Sequence, residues 1–458
     1  VVTFARTAGL LVVVLSLSLA LWPEAVGLEP AMAPTAALVL AALGFWATGA
    51  LPFHLTALGL FVVATVFGIA RPAVIFAGFA STALWLVFGG LVIGTAVQTT
   101  GLGRRLARLL VDRLGGSYRR IIYRTVGLGV ALAFLVPAAM GRIMILVPIF
   151  VALTGELGFG RGQPGRTGVL LAASFGTILP AFAILPANLP NMVLLGVAET
   201  LYGVSPSYAA YLLLHFPVLG LLYALLLAEL ICRLFPDRPT DRGRTPREPL
   251  PPWSAAERRL LMILILALAL WATDALHGLS PGWVALAAAL VCMLPGIGVV
   301  DPRTFESATS FGTFFCVAGL LGMVSLFDAS GLADRRQGAG LAAAGARSAW
   351  RELRGLVAGA SVIGLVTTHP GVPAVLGPLA APMAEAAELP LEAVLMTQVI
   401  GFSAMLLPYQ SAPVMVALQL ANIRLASGTK LSLLLGGLTL LVLVPLDYAW
   451  WQWLGRLE

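Results

Sequence analysis

The sequence predicts an all-α polytopic membrane protein, with about 11 transmembrane helices plus two re-entrant hairpins, built as two inverted repeats. Three observations lead there. Hydrophobic residues make up 59% of the 458 and charged residues only 11%, whereas a soluble surface needs roughly a quarter of the residues charged, so the outer surface faces lipid. Continuous apolar runs such as Ala37–Phe45 and Leu260–Trp271 show none of the apolar/polar alternation of a membrane β-strand. Proline, glycine and polar breaks interrupt the apolar segments at matching places in the two halves of the chain.

The elements follow in order. Residues 1–33 hold an N-terminal span after Arg6; it reads as a retained span because the next apolar element begins almost at once. The first repeat, 34–235, opens with spans near 34–52, 54–70 and 81–99, then GRRLARLLVDRLGGSY at 103–118, whose leucines share one face as in an interfacial amphipathic helix. Pro137 and Gly141 break the apolar stretch 121–153, too long for one straight span, into two half-length arms of a hairpin. Pro180, Pro186 and Pro190 fall within eleven residues of the stretch 166–201 and make it a discontinuous helix, because each proline lacks a backbone donor and clashes with the preceding turn. A span near 208–233 leads to the long polar linker, 236–258.

The second repeat, 259–458, restates this plan with spans near 260–277, 282–300 and 311–329, a polar stretch Asp334–Arg354, a hairpin at 352–385, a broken helix at 391–424 and a final span near 431–454. WATGAL at 46–51 recurs as WATDAL at 271–276. Arg71-Pro72, TGLGRR at 100–105 and Pro148 recur as Asp301-Pro302, SGLADR at 330–335 and Pro378, all at an offset of 230. Ile184-Leu185-Pro186 likewise matches Leu406-Leu407-Pro408.

The net charge of +7 comes from 27 arginines and Lys430, which gather in loops. That distribution excludes a nucleic-acid surface and reads as a topology signal. With the N-terminus cytoplasmic, 20 of the 28 basic residues fall inside and 7 outside, with Arg142 left at membrane depth. The expected location is a bacterial inner membrane. Cys232, Cys292 and Cys316 lie in or beside apolar runs without CxxC spacing and read as core residues. Inverted repeats with broken helices at matching positions are the signature of secondary transporters, and non-helical backbone at membrane depth belongs beside a polar cavity.

The segment FAGFASTALWLVFGGLVIGTAVQTTGLGRRLA at 76–107, with the repeated hairpins and proline loops, resembles the divalent anion:sodium symporter family of the ion transporter superfamily, over roughly residues 40–450. The resemblance implies a homodimer with scaffold and transport domains, an elevator motion, and dicarboxylate, citrate or sulfate as substrate, usually coupled to sodium. It also implies a Ser-Asn-Thr motif at each hairpin tip contacting substrate and sodium. This sequence departs from it: the first tip reads Ala138-Ala139-Met140-Gly141-Arg142 and the second Thr368-His369-Pro370-Gly371. The proline loops read Asn188-Leu189-Pro190-Asn191 and Gln410-Ser411-Ala412-Pro413.

The expected substrate contacts are therefore Ala139, Met140, Gly141, Arg142, Asn188, Pro190, Asn191, Thr368, His369, Gln410, Ser411 and Pro413. Ala138, Thr177, Ser403 and Pro370 are the candidates for holding an ion. A guanidinium at membrane depth costs about 3 kcal/mol on insertion scales and no carboxylate lies in either tip or loop, so Arg142 is expected to grip an anionic substrate, or else to snorkel to the interface. In the first case it supplies the positive charge that sodium supplies in relatives. His369 is a candidate hydrogen-bond donor or proton carrier. No cofactor is expected beyond sodium or a proton as coupling ion. Rival readings are weaker: a Ser361/His369 enzyme has no counterpart in the first half, and a channel needs a continuous polar lining.

Overall fold

The computed structural model describes residues 2–111, 116–239, 250–332 and 349–457. Residues 240–249 of the polar linker, 112–115 of the amphipathic segment and most of the stretch Asp334–Arg354 lie outside these residues. Everything described is helix, turn or loop, with no strand among the described residues.

The N-terminal span is α1, Val2–Leu21, packed on α2, Ala33–Thr48. The first repeat continues with α3, Phe53–Val66, and α4, Thr82–Thr100, which Ser81 starts by accepting the Ala83 N–H. Next come α5, Leu102–Val111, then the hairpin arms α6, Tyr118–Leu135, and α7, Ala139–Glu156. The broken helix is α8, Pro164–Gly176, followed by short 3-10 turns and α9, Leu189–Tyr202. α10, Tyr208–Leu234, closes the repeat and contains a π-helical turn at Phe216–Leu222.

The second repeat runs α11, Ala255–Ala272, opened by a Ser254/Glu257 capping box, α12, Pro281–Met293, and α13, Phe311–Ala329. Its hairpin is α14, Ala349–Val366, and α15, Gly371–Ala387, bent by 118°. The broken helix is α16, Leu391–Ser403, a 3-10 turn at Pro408–Gln410, and α17, Ala412–Leu420. α18, Leu425–Trp453, ends the chain and again carries a π-helical turn, Thr439–Leu443.

The helices are interrupted at Val136–Ala138, Thr177–Asn188, Thr367–Pro370 and Ala404–Ser411, whereas Gly141, expected to break the first hairpin, lies inside α7, and that hairpin also differs in scale. Its arms have 18 residues each, a rise of about 27 Å, so neither is half-length. Pro148 sits inside α7 without ending it. Among the described residues, six helices are long and apolar enough to cross a membrane, and five further apolar helices have 10–17 residues. Val62 and Leu441 are exposed on such helices, as suits contact with lipid.

The two repeats interlock. α4 of the first packs along α12 of the second, and α13 of the second along α3 of the first. Glycine makes both approaches possible: a Cβ on Gly89 would stand 2.6 Å from the Ala285 backbone, and one on Gly319 would stand 2.4 Å from the Ala57 Cβ. Trp46 and Trp271, equivalent in the WAT motifs, donate their indole N–H groups to the carbonyls of Phe53 and Pro281. Within each half the first hairpin arm packs on the first part of the broken helix, α6 on α8 and α14 on α16.

One correction concerns α5. Arg105, one of the arginines that lie off the leucine face of an interfacial helix and would there meet water, is buried: its Nε meets Glu257 at 2.6 Å and its Nη atoms donate to the carbonyls of Pro251 and Pro252. A carboxylate and two carbonyls at the entry to α11 replace the water it would otherwise seek.

Candidate functional site

The breaks leave backbone carbonyls without helical partners, and buried amide and guanidinium side chains donate to several of them. In the first half, Asn188 Nδ2 donates to the Ile178 carbonyl at 2.9 Å and Asn191 Nδ2 to those of Phe182 and Ile184, both at 3.0 Å. In the second half, Gln410 Nε2 donates to Gly364 of the hairpin arm at 2.8 Å, while its Oε1 accepts the N–H groups of Leu406 and Leu407. The His369 N–H in turn donates to the Gln410 carbonyl at 3.0 Å. Each proline loop is thus stitched by an amide side chain, and the second is stitched to its hairpin tip.

Arg142 stitches the first tip to its loop. Its Nη1 donates to the carbonyls of Val136 at 2.6 Å and Ala187 at 3.1 Å. Nε and Nη2 reach the Thr177 carbonyl at 3.2 and 2.9 Å, Nε also reaches Thr177 Oγ1 at 3.1 Å, and Nη2 lies 3.5 Å from Asn188 Oδ1. Five oxygens surround the guanidinium, none from a carboxylate, and the side chain is fully buried. Both sequence expectations for Arg142 are corrected. It does not snorkel, because no part of it is exposed; nor does it line the cavity below, because all three nitrogens turn inward to freed carbonyls.

A cavity of about 620 Å³ lies where both tips and both loops converge. Of the expected substrate contacts, Ala139, Met140, Asn188, Pro190, Thr368, His369, Gln410, Ser411 and Pro413 line it, as do the ion candidates Ala138 and Pro370. Gly141, Arg142, Asn191, Thr177 and Ser403 are absent from the wall. Thr177 accepts from Arg142 and donates to the Gly129 carbonyl, and Ser403 donates to the Val399 carbonyl, as a helical serine satisfies itself locally. Sequence reasoning missed the wall contributed by the spans, including Trp46, Phe53, His54, Ser310 and Thr313; the Trp46 repeat motif was its one visible signal.

Among the described residues no Arg, Lys, Asp or Glu lines this cavity. Two carboxylates of the apolar segments do other work: Glu199 accepts from Ser81 Oγ and the Thr82 N–H at the start of α4, and Glu229 pairs with Arg119 and Arg233 at the end of α10. The Ser361 hydroxyl is turned to the carbonyls of Val357 and Gly401, and His369 Nε2 has no hydrogen-bond partner among the described residues.

The family described as the sodium:sulfate symporter transmembrane region matches residues 5–457. The chain belongs to this family. A membrane protein of Cupriavidus necator is 30% identical over 52% of the chain and 47% of its own length. The inner membrane protein YbhI of Escherichia coli K12 is 25% identical over 57% and 56%, and the L-tartrate/succinate antiporter of the same strain 27% over 42% of each. The matches span about half the length of these relatives. The crystal structure of the Alcanivorax borkumensis YdaH transporter shares the fold, with a TM-score of 0.56 at 16% identity, covering 83% of this chain and 86% of that one. The chain is thus a multi-pass membrane protein of the sodium:sulfate symporter family, and transport is what the name of the antiporter says of that relative.

Proposed function

We propose that this symporter-family protein is a secondary carrier of small carboxylate-type anions across a bacterial inner membrane, with a cation built into its first hairpin tip. The observation that carries this is the five-oxygen cage around Arg142. Freed carbonyls at a helix break suit a small cation, and here an arginine side chain fills the cage from within. The anion binds in the cavity between the two tips and the two loops, and alternating access proceeds by an elevator motion of a homodimer, as the resemblance implies.

Of the dicarboxylate, citrate and sulfate classes, the carboxylates are favoured by the named tartrate/succinate relatives. Exchange or proton coupling is favoured over multi-sodium symport, because neither tip retains its Ser-Asn-Thr motif and the first cage is occupied by Arg142. Uptake of labelled anions into proteoliposomes, with and without a counter-anion inside, tests the reading: stimulation by the internal anion in sodium-free buffer is the expected result, and currents far above carrier turnover would replace it by a channel.

A further inference from the structure

We propose that His215 and Asp447 form a proton-binding site where α10 packs on α18, apart from the cavity between the tips and loops, and that its occupancy is linked to anion binding. The link rests on the carrier reading above; the proton site does not.

His215, Asp447 and Trp451 are each fully buried. Both ring nitrogens of His215, both carboxyl oxygens of Asp447 and the indole Nε1 of Trp451 have no hydrogen-bond partner. These groups gather in one place. The His215 ring meets the Trp451 ring edge-on at 5.7 Å, Asp447 stands one turn before Trp451 on the same face of α18, and Trp450 donates to the Leu213 carbonyl at 3.0 Å. A carboxylate buried without a donor is costly. One proton held between the acid and the imidazole leaves the pair with no net charge, the form a low-dielectric interior tolerates.

The repeat does not account for this pair. The π-helical turns of α10 and α18 begin at Phe216 and Thr439, 223 residues apart, which is also the separation of Pro190 and Pro413. At that offset His215 corresponds to Leu438 and Asp447 to Ala224, so the duplicated architecture forms with neither polar group. The π turn of α10 starts directly after His215 and packs on the end of α18, and such turns are frequent at functional sites.

The charged groups of the surrounding elements are engaged or distant. Asp274, which with His277 follows α11, accepts the Tyr208 N–H, and Glu257, Arg258 and Arg259 lie at the far end of α11. Arg351, Glu352 and Arg354 are in the first turns of α14, beside the Trp350 ring that meets Tyr448. None of these hydrogen-bonds to His215 or Asp447.

A short path leads from the pair to the cavity. The Tyr211 ring lies 4.6 Å from that of His215, and its hydroxyl donates to the Phe182 carbonyl at 2.9 Å. The Phe182 ring lines the cavity and meets His369 edge-on at 5.2 Å. One side chain thus joins the proton site to the first proline loop.

The test is the melting temperature of the purified full chain against pH, at constant sodium, with and without L-tartrate. Above about pH 6.5 an unfolded histidine and aspartate hold no proton between them, so a native pair that keeps one loses stability as pH rises. The wild type is expected to melt at least about 3 °C lower at about pH 8.5 than at about pH 6.5. Asp447→Asn should lose that fall and instead melt lower as pH drops below about 6.5, where unfolded histidine gains a proton that a buried His215 without its acid refuses. Adding His215→Gln should flatten both limbs. A wild type with no fall, or a fall that survives Asp447→Asn, overturns the proton site; Asp447→Leu serves if the Asn variant does not fold. L-tartrate, which does not titrate in this range, is expected to half-saturate the wild type at a concentration at least fivefold lower at about pH 6.5 than at about pH 8.5, and with no pH dependence in Asp447→Asn or Tyr211→Phe. An affinity that pH leaves unmoved in the wild type, or moves equally in the variants, overturns the link. A melting temperature that neither tartrate, succinate nor sulfate raises overturns the carrier reading and leaves the proton site to be decided by the slopes.

Discussion

The guanidinium of Arg142 holds the backbone carbonyl of Thr177 twice, through Nε at 3.2 Å and Nη2 at 2.9 Å. Thr177 is where the helix of the first broken segment stops, and Arg142 stands in the first turn of α7. One side chain therefore ties the first hairpin to the broken helix beside it, with carbonyls from Val136 and Ala187 completing the cage.

Removing that side chain leaves five oxygens without donors inside the protein. Arg142→Ala is expected to cost at least about 3 kcal/mol of stability, since a buried polar group left unmatched costs roughly 1–3 kcal/mol. Arg142→Lys should recover only part, because an ammonium on a flexible stem cannot reproduce a planar fork. Thermal unfolding of the three proteins in detergent checks the order wild type, Lys, Ala; an Ala variant as stable as the wild type would deny the cage its structural weight.

In the second half Gln410 is the counterpart, bonding at once to Gly364, Leu406 and Leu407. Gln410→Ala should lower stability by about 2 kcal/mol or more and abolish substrate-induced stabilisation, because both the tip and its loop lose their tie. Gln410→Glu keeps the acceptor and loses the donor to Gly364, so its melting temperature should fall between the two. Differential scanning fluorimetry with and without substrate reads both effects.

The buried pair Arg105 and Glu257 fastens α5 to the start of α11. Breaking a buried pair costs about 3–5 kcal/mol through the charge left behind. Arg105→Ala and Glu257→Ala should each destabilise by an amount in that range, and the double variant by much less than their sum. A double-mutant cycle that turns out additive would remove the coupling.

Gly89 and Gly319 provide a test of the interlocked repeats. A methyl at Gly89 meets the Ala285 backbone and one at Gly319 meets Ala57, and neither neighbour can swing aside. Gly89→Ala and Gly319→Ala should each lower stability by about 1–3 kcal/mol, the usual cost of overpacking, whereas Gly59→Ala, with open space around its Cβ position, should be neutral. Parallel melting curves compare the three.

The breaks and the repeat were legible in the sequence because proline acts locally: Pro180, Pro186 and Pro190 forbid regular helix whatever surrounds them. The residues of both tips and loops followed from the same reasoning. What Arg142 does was not legible, since three of its five partners are backbone carbonyls, which sequence does not display, and two of those lie 35 and 45 residues away at Thr177 and Ala187. Arg105 was misjudged for a similar reason, its acceptors being brought from 146 to 152 residues downstream. The Phe53 and His54 side of the cavity was invisible because it comes from an apolar span with no mark to set it apart.

Under the proposed function Arg142 takes the place of a sodium ion in the first hairpin tip. Anion uptake by wild type and Arg142→Ala in proteoliposomes, each with sodium and with potassium or choline in its place, tests this. The wild type is expected to be indifferent to sodium, and the remaining uptake and thermal stability of Arg142→Ala to rise with sodium, because the vacated oxygens of Val136, Thr177, Ala187 and Asn188 suit a hard cation. A wild type that requires sodium, with the variant showing the same dependence, would contradict it.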